Sequence, residues 1–270
     1  MFGLLHHLFQ PTNSYALCAV ARSGAHLLSA GLRVTHLAGR PLQYFHEQLA
    51  SKYAARYGLD AVNHFAHYVR GIVSATATPN AVFGFRLEAW DLDRFVERLR
   101  ESGEFGGPKA REIELFHSAF PRLRCVQLTR QDKLRQAISK ARAMQTDQWV
   151  VRPEQGAAPE LVFDPELIAD CLRSAQHAEE SWADFFERND IEPLAITYEQ
   201  LCADYAGTVA RVLDFLRIRP PRGFVLGPPR TTRQADAVTE DWVDRYKQLE
   251  AAKEHPPNTS AGQSLSSTFQ

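Results

Sequence analysis

Four short apolar runs in the chain are each followed by a longer segment whose apolar positions recur every three or four residues. A continuous apolar run bounded by turn residues reads as a buried strand, and the longer period reads as an amphipathic helix. The runs are residues 14–21 (SYALCAVA), 81–87 (AVFGFRL), 122–130 (RLRCVQLTR) and 193–198 (PLAITY). The pattern predicts helices over 25–35, 46–75, 91–101 with Asp91 as N-cap, 133–145, 165–188, 199–218 and 239–252. Gly and Pro break 38–45, 102–109, 146–164 and 219–236, which read as loops, with a turn at 78–80. Strands alternating with helices predict an α/β fold, a parallel sheet flanked by helices on both faces. The expected organisation is an N-terminal extension at 1–13, a single domain at 14–250, and a polar tail at 251–270 that is expected to be disordered.

Composition narrows the function. The chain has 270 residues and a formal net charge of −1. A nucleic-acid protein is normally basic, so that class is set aside, although a local basic site is compatible with the many arginines. No stretch approaches the ~18 apolar residues of a membrane span. The segment MFGLLHHLFQ lacks the positive start and long apolar run of a signal peptide. Cys18, Cys125, Cys171 and Cys202 are far apart with apolar neighbours, which predicts buried free thiols and a cytoplasmic protein. The histidines show no zinc spacing, since the pair His64 and His67 lacks a third ligand. The sequon NTS at 258–260 carries no meaning in a cytosolic tail.

Candidate chemistry begins where the first strand ends. Arg22, Ser23 and Gly24 form a turn into a helix that opens Ala25, His26, Leu27. A helix N-terminus offers unpaired N–H groups and a partial positive charge, Gly24 allows close approach, and Arg22 can fork onto two oxygens. An ordinary strand-to-helix turn has the same outline. The phosphate loop of nucleotide triphosphate enzymes would carry GxxxxGK[ST], which is missing. Arg130 ends the third strand, at the edge where parallel sheets bind ligands, and Ser139 follows in the next helix. A late Arg-bearing loop with Arg233 leads into a helix holding Trp242 and Tyr246.

Taken together, these pieces resemble sulfotransferases that use 3′-phosphoadenosine 5′-phosphosulfate (PAPS), and more closely the bacterial trehalose 2-sulfotransferase family. The resemblance rests on RSGAHLLSAGLR, AGRPLQYF, TPNAVFGFRL, LTRQDKLRQAIS, EESWADFFERNDIEP and RQADAVTEDWVDRY, in family order over roughly 14–249. It implies a metal-free transfer to a hydroxyl of a carbohydrate or other small acceptor, with PAP as product, by a P-loop-like homodimeric protein. It further implies that Arg22 to Leu27 (Arg22, Ser23, Gly24, Ala25, His26, Leu27) hold the 5′-phosphosulfate and that Arg130 and Ser139 hold the 3′-phosphate. Arg233 would close over that phosphate, and Tyr198 would lie at the adenine.

The chain departs from the family in its chemistry-bearing positions. The family loop reads RSGST, and here Ala25 and His26 replace the two hydroxyl residues. His26 either donates to the bridging oxygen or packs at the helix start. The family's general base is a Glu at the position of Gln43, and an amide cannot take a proton. Arg86 stands where the family has a Lys, and Glu88 lies two residues on, on the same face of a strand. Glu88 is the candidate replacement base, with a plain Arg86–Glu88 salt bridge as the other reading; His46 and Glu47 are further candidates. Arg40 stands where the family has an acid near the sugar, which favours an acceptor carrying a carboxylate or phosphate over trehalose. Gln43 and Ala25 also allow a second function, a catalytically inactive nucleotide-binding relative.

Overall fold

A computed structural model describes residues 11–149, 160–229 and 237–254. Strand β1 (Asn13–Ala19) is buried along almost its whole length, as a central parallel strand must be. It pairs in parallel with β2 (Val82–Glu88) on one side and β3 (Arg124–Thr129) on the other, and β3 pairs with β4 (Leu194–Thr197). The order is β2-β1-β3-β4, a four-stranded parallel sheet.

Alternation along β1 sends its side chains to two cores. Ala16, Cys18 and Val20 join a core built with α2 (Glu47–Tyr57), α3 (Phe65–Thr76), α4 (Ala89–Glu101), α5 (Glu112–Ala119) and α7 (Pro165–Arg188). Its centre is a cluster of phenylalanines, with Phe85–Phe120 and Phe45–Phe95 ring centres each 4.6 Å apart. Tyr15, Leu17 and Ala19 join the opposite core, with α1 (Ala25–Val34), α8 (Tyr198–Ala203) and α9 (Tyr205–Phe215). The predicted sheet with helices on both faces is what the chain forms. A third apolar cluster joins α6 (Lys133–Thr146) and α7 to α10 (Ala237–Glu254) through Ile138, Ile168 and Trp242.

The differences from the predicted elements have local causes. The stretch 46–75 is two helices, because Gly58 takes a left-handed conformation (φ 65°) and Asp60 accepts from the N–H groups of Val62 and Asn63. The stretch 199–218 divides at Asp204, whose carboxylate caps α9 by accepting from Gly207 N at 2.8 Å. Helix α5, two turns long, has no counterpart in the prediction. The N-cap of α4 is Glu88, not Asp91, because β2 runs directly into the helix; Asp91 sits in the first turn. Cys18, Cys125 and Cys171 are buried free thiols, whereas Cys202 is exposed. Among the described residues no helix is long and apolar enough to cross a membrane. Residues 1–10, Arg233 and the tail from His255 lie outside the described residues.

Candidate active site

All four strands end at one edge. The chain leaves β1 for β2 on one side and β3 for β4 on the other, so the C-terminal edge between β1 and β3 is the place where a crevice opens. The residues at this edge are Arg22 to Gly24 after β1, Arg86 and Glu88 on β2, Arg130 after β3 and Tyr198 after β4.

The turn after β1 is wound tightly. Arg22 has φ 64° and Gly24 φ 89°, and Ser23 N donates to Val20 O at 3.1 Å. Two buried donors fix the strand end from outside: Trp182 Nε1 on Ala19 O (3.0 Å) and Gln136 Nε2 on Ala21 O (2.8 Å). Gly24 is the N-cap of α1, no side chain caps that end, and no acid lies in the first turn. Its orphan N–H groups are thus available to an anion. Ser23 is fully buried and its Oγ finds no partner among the described residues. Ala25 and Leu27 turn their side chains toward the core, so their part in an anion site is limited to the backbone.

Arginines crowd one end of the crevice. Arg22 Nε donates to Ser139 Oγ at 2.9 Å and its Nη1 to Trp149 O at 2.6 Å. The Arg130 guanidinium lies 4.6 Å over the Tyr198 ring. The other side of the ring region meets the turn: a Cβ on Gly24 would stand 2.7 Å from Tyr198 Cδ2. Glu199 braces the same corner, accepting from Gln131 N at 3.0 Å and Asp132 N at 3.3 Å. Burial, then the charge of Arg130 and of Arg142, pull the Arg22 pKa below its ordinary value. Arg22 therefore leans toward Ser139, the residue assigned from sequence to the opposite end of the donor. Arg142 was not among the candidates; its signal is its place one helical turn after Ser139.

The other end holds His26, Arg86, Gln43 and Glu88, which the fold brings together. β2 extends through Glu88, so Arg86 and Glu88 share a face, as the spacing implied. In register they pair with Leu17 and Ala19, which puts them on the α1 side. Arg86 is 4 % exposed and Glu88 5 %. Arg86 Nη2 donates to Gln43 Oε1 and lies 3.4 Å from His26 Nε2; Arg86 Nε is 3.5 Å from Glu88 Oε1, and Gln43 Nε2 donates to that same oxygen at 3.2 Å. Gln43 is held beside β2 because Leu42 bridges to Phe85 and Arg86 N donates to Leu42 O.

Burial dominates the electrostatics here. It raises the Glu88 pKa above the usual carboxylate range, Asp91 adds to the rise, and Arg86 only partly offsets it. Burial lowers the Arg86 pKa, with Glu88 opposing. Desolvation outweighs attraction in both partners, so the pair adds little to stability. A carboxylate raised in this way is a better base near neutral pH. His26 reaches solvent on one side, yet desolvation first, then Arg86 and Arg22, lower its pKa to about 3. It is a neutral imidazole, and since Arg86 only donates, Nε2 accepts and Nδ1 carries the proton. Such a group can offer a hydrogen bond to an oxygen but brings no charge.

Of the further candidates, His46 Nδ1 lies 3.1 Å from Asp91 Oδ1, next to the buried Glu88. Glu47 and Arg40 are exposed. Among the described residues no group of three or more His, Cys, Asp or Glu is placed to hold a metal ion.

A parallel sheet with an uncapped helix N-terminus after β1, and cationic side chains along its C-terminal edge, is the arrangement that suits an anionic ligand. The family model described as Stf0 sulphotransferase matches residues 14–249, and the chain belongs to that sulfotransferase family. It is 28 % identical over 261 residues to the trehalose 2-sulfotransferase of Mycobacterium tuberculosis (strain ATCC 35801 / TMC 107 / Erdman), covering 86 % of this chain and 94 % of the relative. It is 27 % identical over 257 residues to that of Mycolicibacterium smegmatis (strain ATCC 700084 / mc(2)155), covering 87 % and 94 %. Among solved structures, a sulfotransferase from Alicyclobacillus acidocaldarius is similar with a TM-score of 0.43 and 12 % identity, over 92 % of this chain and 95 % of that one.

Proposed function

We propose that the protein transfers a sulfuryl group from PAPS to a hydroxyl of a carbohydrate or other small acceptor, with Glu88 as base. The observation that carries the reading is the two-ended site: an uncapped helix N-terminus with Arg86 beyond it at one end, and at the other Arg22 and Ser139, 117 positions apart in sequence but hydrogen-bonded, with Arg130 at the end of β3 over Tyr198. The bound donor supplies the sulfuryl group and a phosphate leaving group. The turn's N–H groups and the α1 dipole oppose the negative charge that grows on that phosphate. Arg86 faces the transferred group, the Nδ1–H of neutral His26 serves as a donor, and Tyr198 with Arg130 forms the adenine-side wall. Glu88 accepts the acceptor's proton as the new O–S bond forms and the old S–O bond breaks, its electron pair leaving with the phosphate. A sulfuryl group carries less charge than a phosphoryl group, so this donor set serves without a metal. The relatives' names point to a sugar acceptor, but Arg40 and Gln43 in place of two acids make trehalose a poor fit, and an acceptor with an anionic group suits Arg40.

Calorimetry with 3′,5′-ADP (PAP) and 5′-AMP, without metal, tests the donor site. The 3′-phosphate should strengthen binding at least tenfold. Equal affinities would remove the reading. Gln43 favours a second reading, a nucleotide-binding relative without turnover. Acceptor screening with the parent and Glu88→Gln separates the two, since only an active enzyme loses turnover on that change.

A further inference from the structure

Helix α9 carries the chain away from the C-terminal edge of the sheet. Its last residue, Phe215, stands beside the start of β3, because Arg124 Nη1 donates to Phe215 O and the Arg124 guanidinium lies 5.5 Å over the Phe215 ring. The chain is anchored once more by Ile218, which is buried and whose N–H donates to Leu213 O at 2.8 Å. Residues 219–229 then form neither helix nor strand, and all are exposed except half-buried Leu226, which packs against the α9 side of the core. A turn closes within this segment: Phe224 N donates to Pro221 O at 3.1 Å, and Gly223 takes φ 78°, a conformation that favours glycine. Beyond the turn Val225 is 84 % exposed and Phe224 36 %. Pro220, Pro221, Pro228 and Pro229 stiffen the segment on both sides, so the apolar tip is held out.

Cations surround this tip. Arg211, Arg217, Arg219 and Arg222 stand against one acid, Asp214, between positions 211 and 229, in a chain whose net charge is −1. All four are exposed, and among the described residues none forms an ion pair with a carboxylate, unlike Arg111 and Arg188 elsewhere on the surface. Their field therefore points outward. Apolar side chains flanked by unpaired cations suit an anionic lipid surface, where the first enter the headgroup boundary and the second meet phosphates. A second copy fits less well, because an isologous contact would set these arginines against one another. A nucleic acid would use the cations but leave Phe224 and Val225 in water.

We propose that the segment from Arg217 to Pro229 is a docking surface for an anionic lipid bilayer, with Phe224 and Val225 entering the headgroup region and Arg217, Arg219 and Arg222 meeting lipid phosphates. The segment leaves the fold at the edge where β3 begins, whereas Arg22 and Glu88 stand where the parallel strands β1 and β2 end. A docked protein thus keeps its crevice open to the aqueous side. The proposal stands apart from the donor reading above.

The test is cosedimentation of the full chain with vesicles of phosphatidylcholine alone and of phosphatidylcholine with about one third phosphatidylglycerol. The parent should bind the anionic vesicles at least about tenfold more tightly, and raising the salt to about 0.5 M should release most of it. Arg219→Ser/Arg222→Ser should weaken binding about 20-fold, and Val225→Asp about tenfold or more. Lys52→Ser/Arg56→Ser removes the same charge from exposed positions of α2, on the opposite face of the sheet, and should stay within about twofold of the parent. A parent that ignores both vesicles, or binds them equally, overturns the proposal. So does an α2 variant that loses as much as Arg219→Ser/Arg222→Ser, since net charge alone would then act. A parent dimer that Val225→Asp converts to monomer would put a second copy on the tip. Retention by a short DNA duplex that Val225→Asp leaves intact would make the face a polyanion surface. Either result overturns the lipid assignment.

Discussion

Gly24→Ala is the change whose cost follows most directly from the structure. Gly24 has φ 89°, a left-handed conformation that costs a residue with a Cβ about 1–2 kcal/mol. The added Cβ would stand 2.7 Å from Tyr198 Cδ2 and 3.5 Å from Leu201 Cδ2. The second distance is ordinary contact, but the first forces a shift, and overpacking of this kind costs about 1–3 kcal/mol. The sum is about 2–5 kcal/mol if the ring holds its place. The ring is not free to yield without consequence, because Arg130 lies 4.6 Å over it. If Tyr198 swings away, part of the strain is relieved and Arg130 loses its platform. Stability and ligand binding therefore trade against each other, and at least one must suffer.

Urea unfolding of the parent and the variant measures the first quantity, and 3′,5′-ADP calorimetry the second. The expected result is a loss of at least about 2 kcal/mol, or a smaller loss joined to a drop in affinity of about tenfold or more. A variant within ~0.5 kcal/mol of the parent that also binds 3′,5′-ADP equally well would show that the turn does not bear on Tyr198 as described.

Gln136→Leu removes the donor to Ala21 O and should cost about 1–3 kcal/mol while also weakening 3′,5′-ADP, since it loosens the strand end before the turn; unchanged affinity in a destabilised variant would limit Gln136 to packing. His26→Gln tests the lowered histidine pKa. A pKa of about 3 in the folded protein lies below the ordinary value of 6.5, so the unfolded chain binds more protons between those limits and stability falls as pH drops through that window. His26→Gln should flatten stability between pH 6.5 and 3, gently because the residue reaches solvent, and an identical slope in both proteins would mean the imidazole titrates normally.

What could be read from sequence was what depends on short-range periodicity. The apolar runs around Leu17, Phe85, Val126 and Ile196 are the four strands; a parallel strand buried on both faces, as β1 and β2 are, carries its own signal, and the edge strand β4 keeps a short apolar run although only Ile196 is fully buried. The pairing of Arg86 with Glu88 was legible for the same reason, since i and i+2 share a strand face. Breaks set by one side chain were not. Gly58 and Asp204 end helices through turn chemistry that leaves the apolar period on either side intact. Asp91 looks like a cap because it precedes an apolar period, yet β2 runs into α4 and its carboxylate goes to His46. Arg142 could not be placed until it was known which face of α6 looks toward Arg22. Cys202 has apolar neighbours in sequence, but its side of short α8 is turned away from the core.

Gln43, which stands where the family resemblance implies a Glu, has an electrostatic counterpart at position 88. Gln43 Nε2 stands 3.2 Å from Glu88 Oε1, and both residues bind Arg86. Two carboxylates at that separation cannot both be ionised; they would share a proton, and one pKa would rise steeply. A site with Glu88 therefore requires a neutral partner at 43, and an amide satisfies both neighbours by accepting from Arg86 and donating to Glu88. On the proposed reading, the base stands across Arg86, at Glu88. Gln43→Glu should accordingly lower turnover at neutral pH by holding the pair protonated, with activity recovering as pH rises. Glu88→Gln should leave Arg86 buried beside two amides, abolish turnover and cost about 3–5 kcal/mol, the penalty for stranding one member of a buried pair. The double variant, Glu at 43 and Gln at 88, again holds one carboxylate, one amide and one guanidinium. It should be more stable than Glu88→Gln alone by at least about 1 kcal/mol, a coupling that unfolding measures without any acceptor in hand. Where an acceptor is found, it should also turn over faster than either single variant. Strictly additive losses in the double variant would mean that positions 43 and 88 do not share one charge, and Glu88 would then be a structural partner of Arg86 with no claim to the proton.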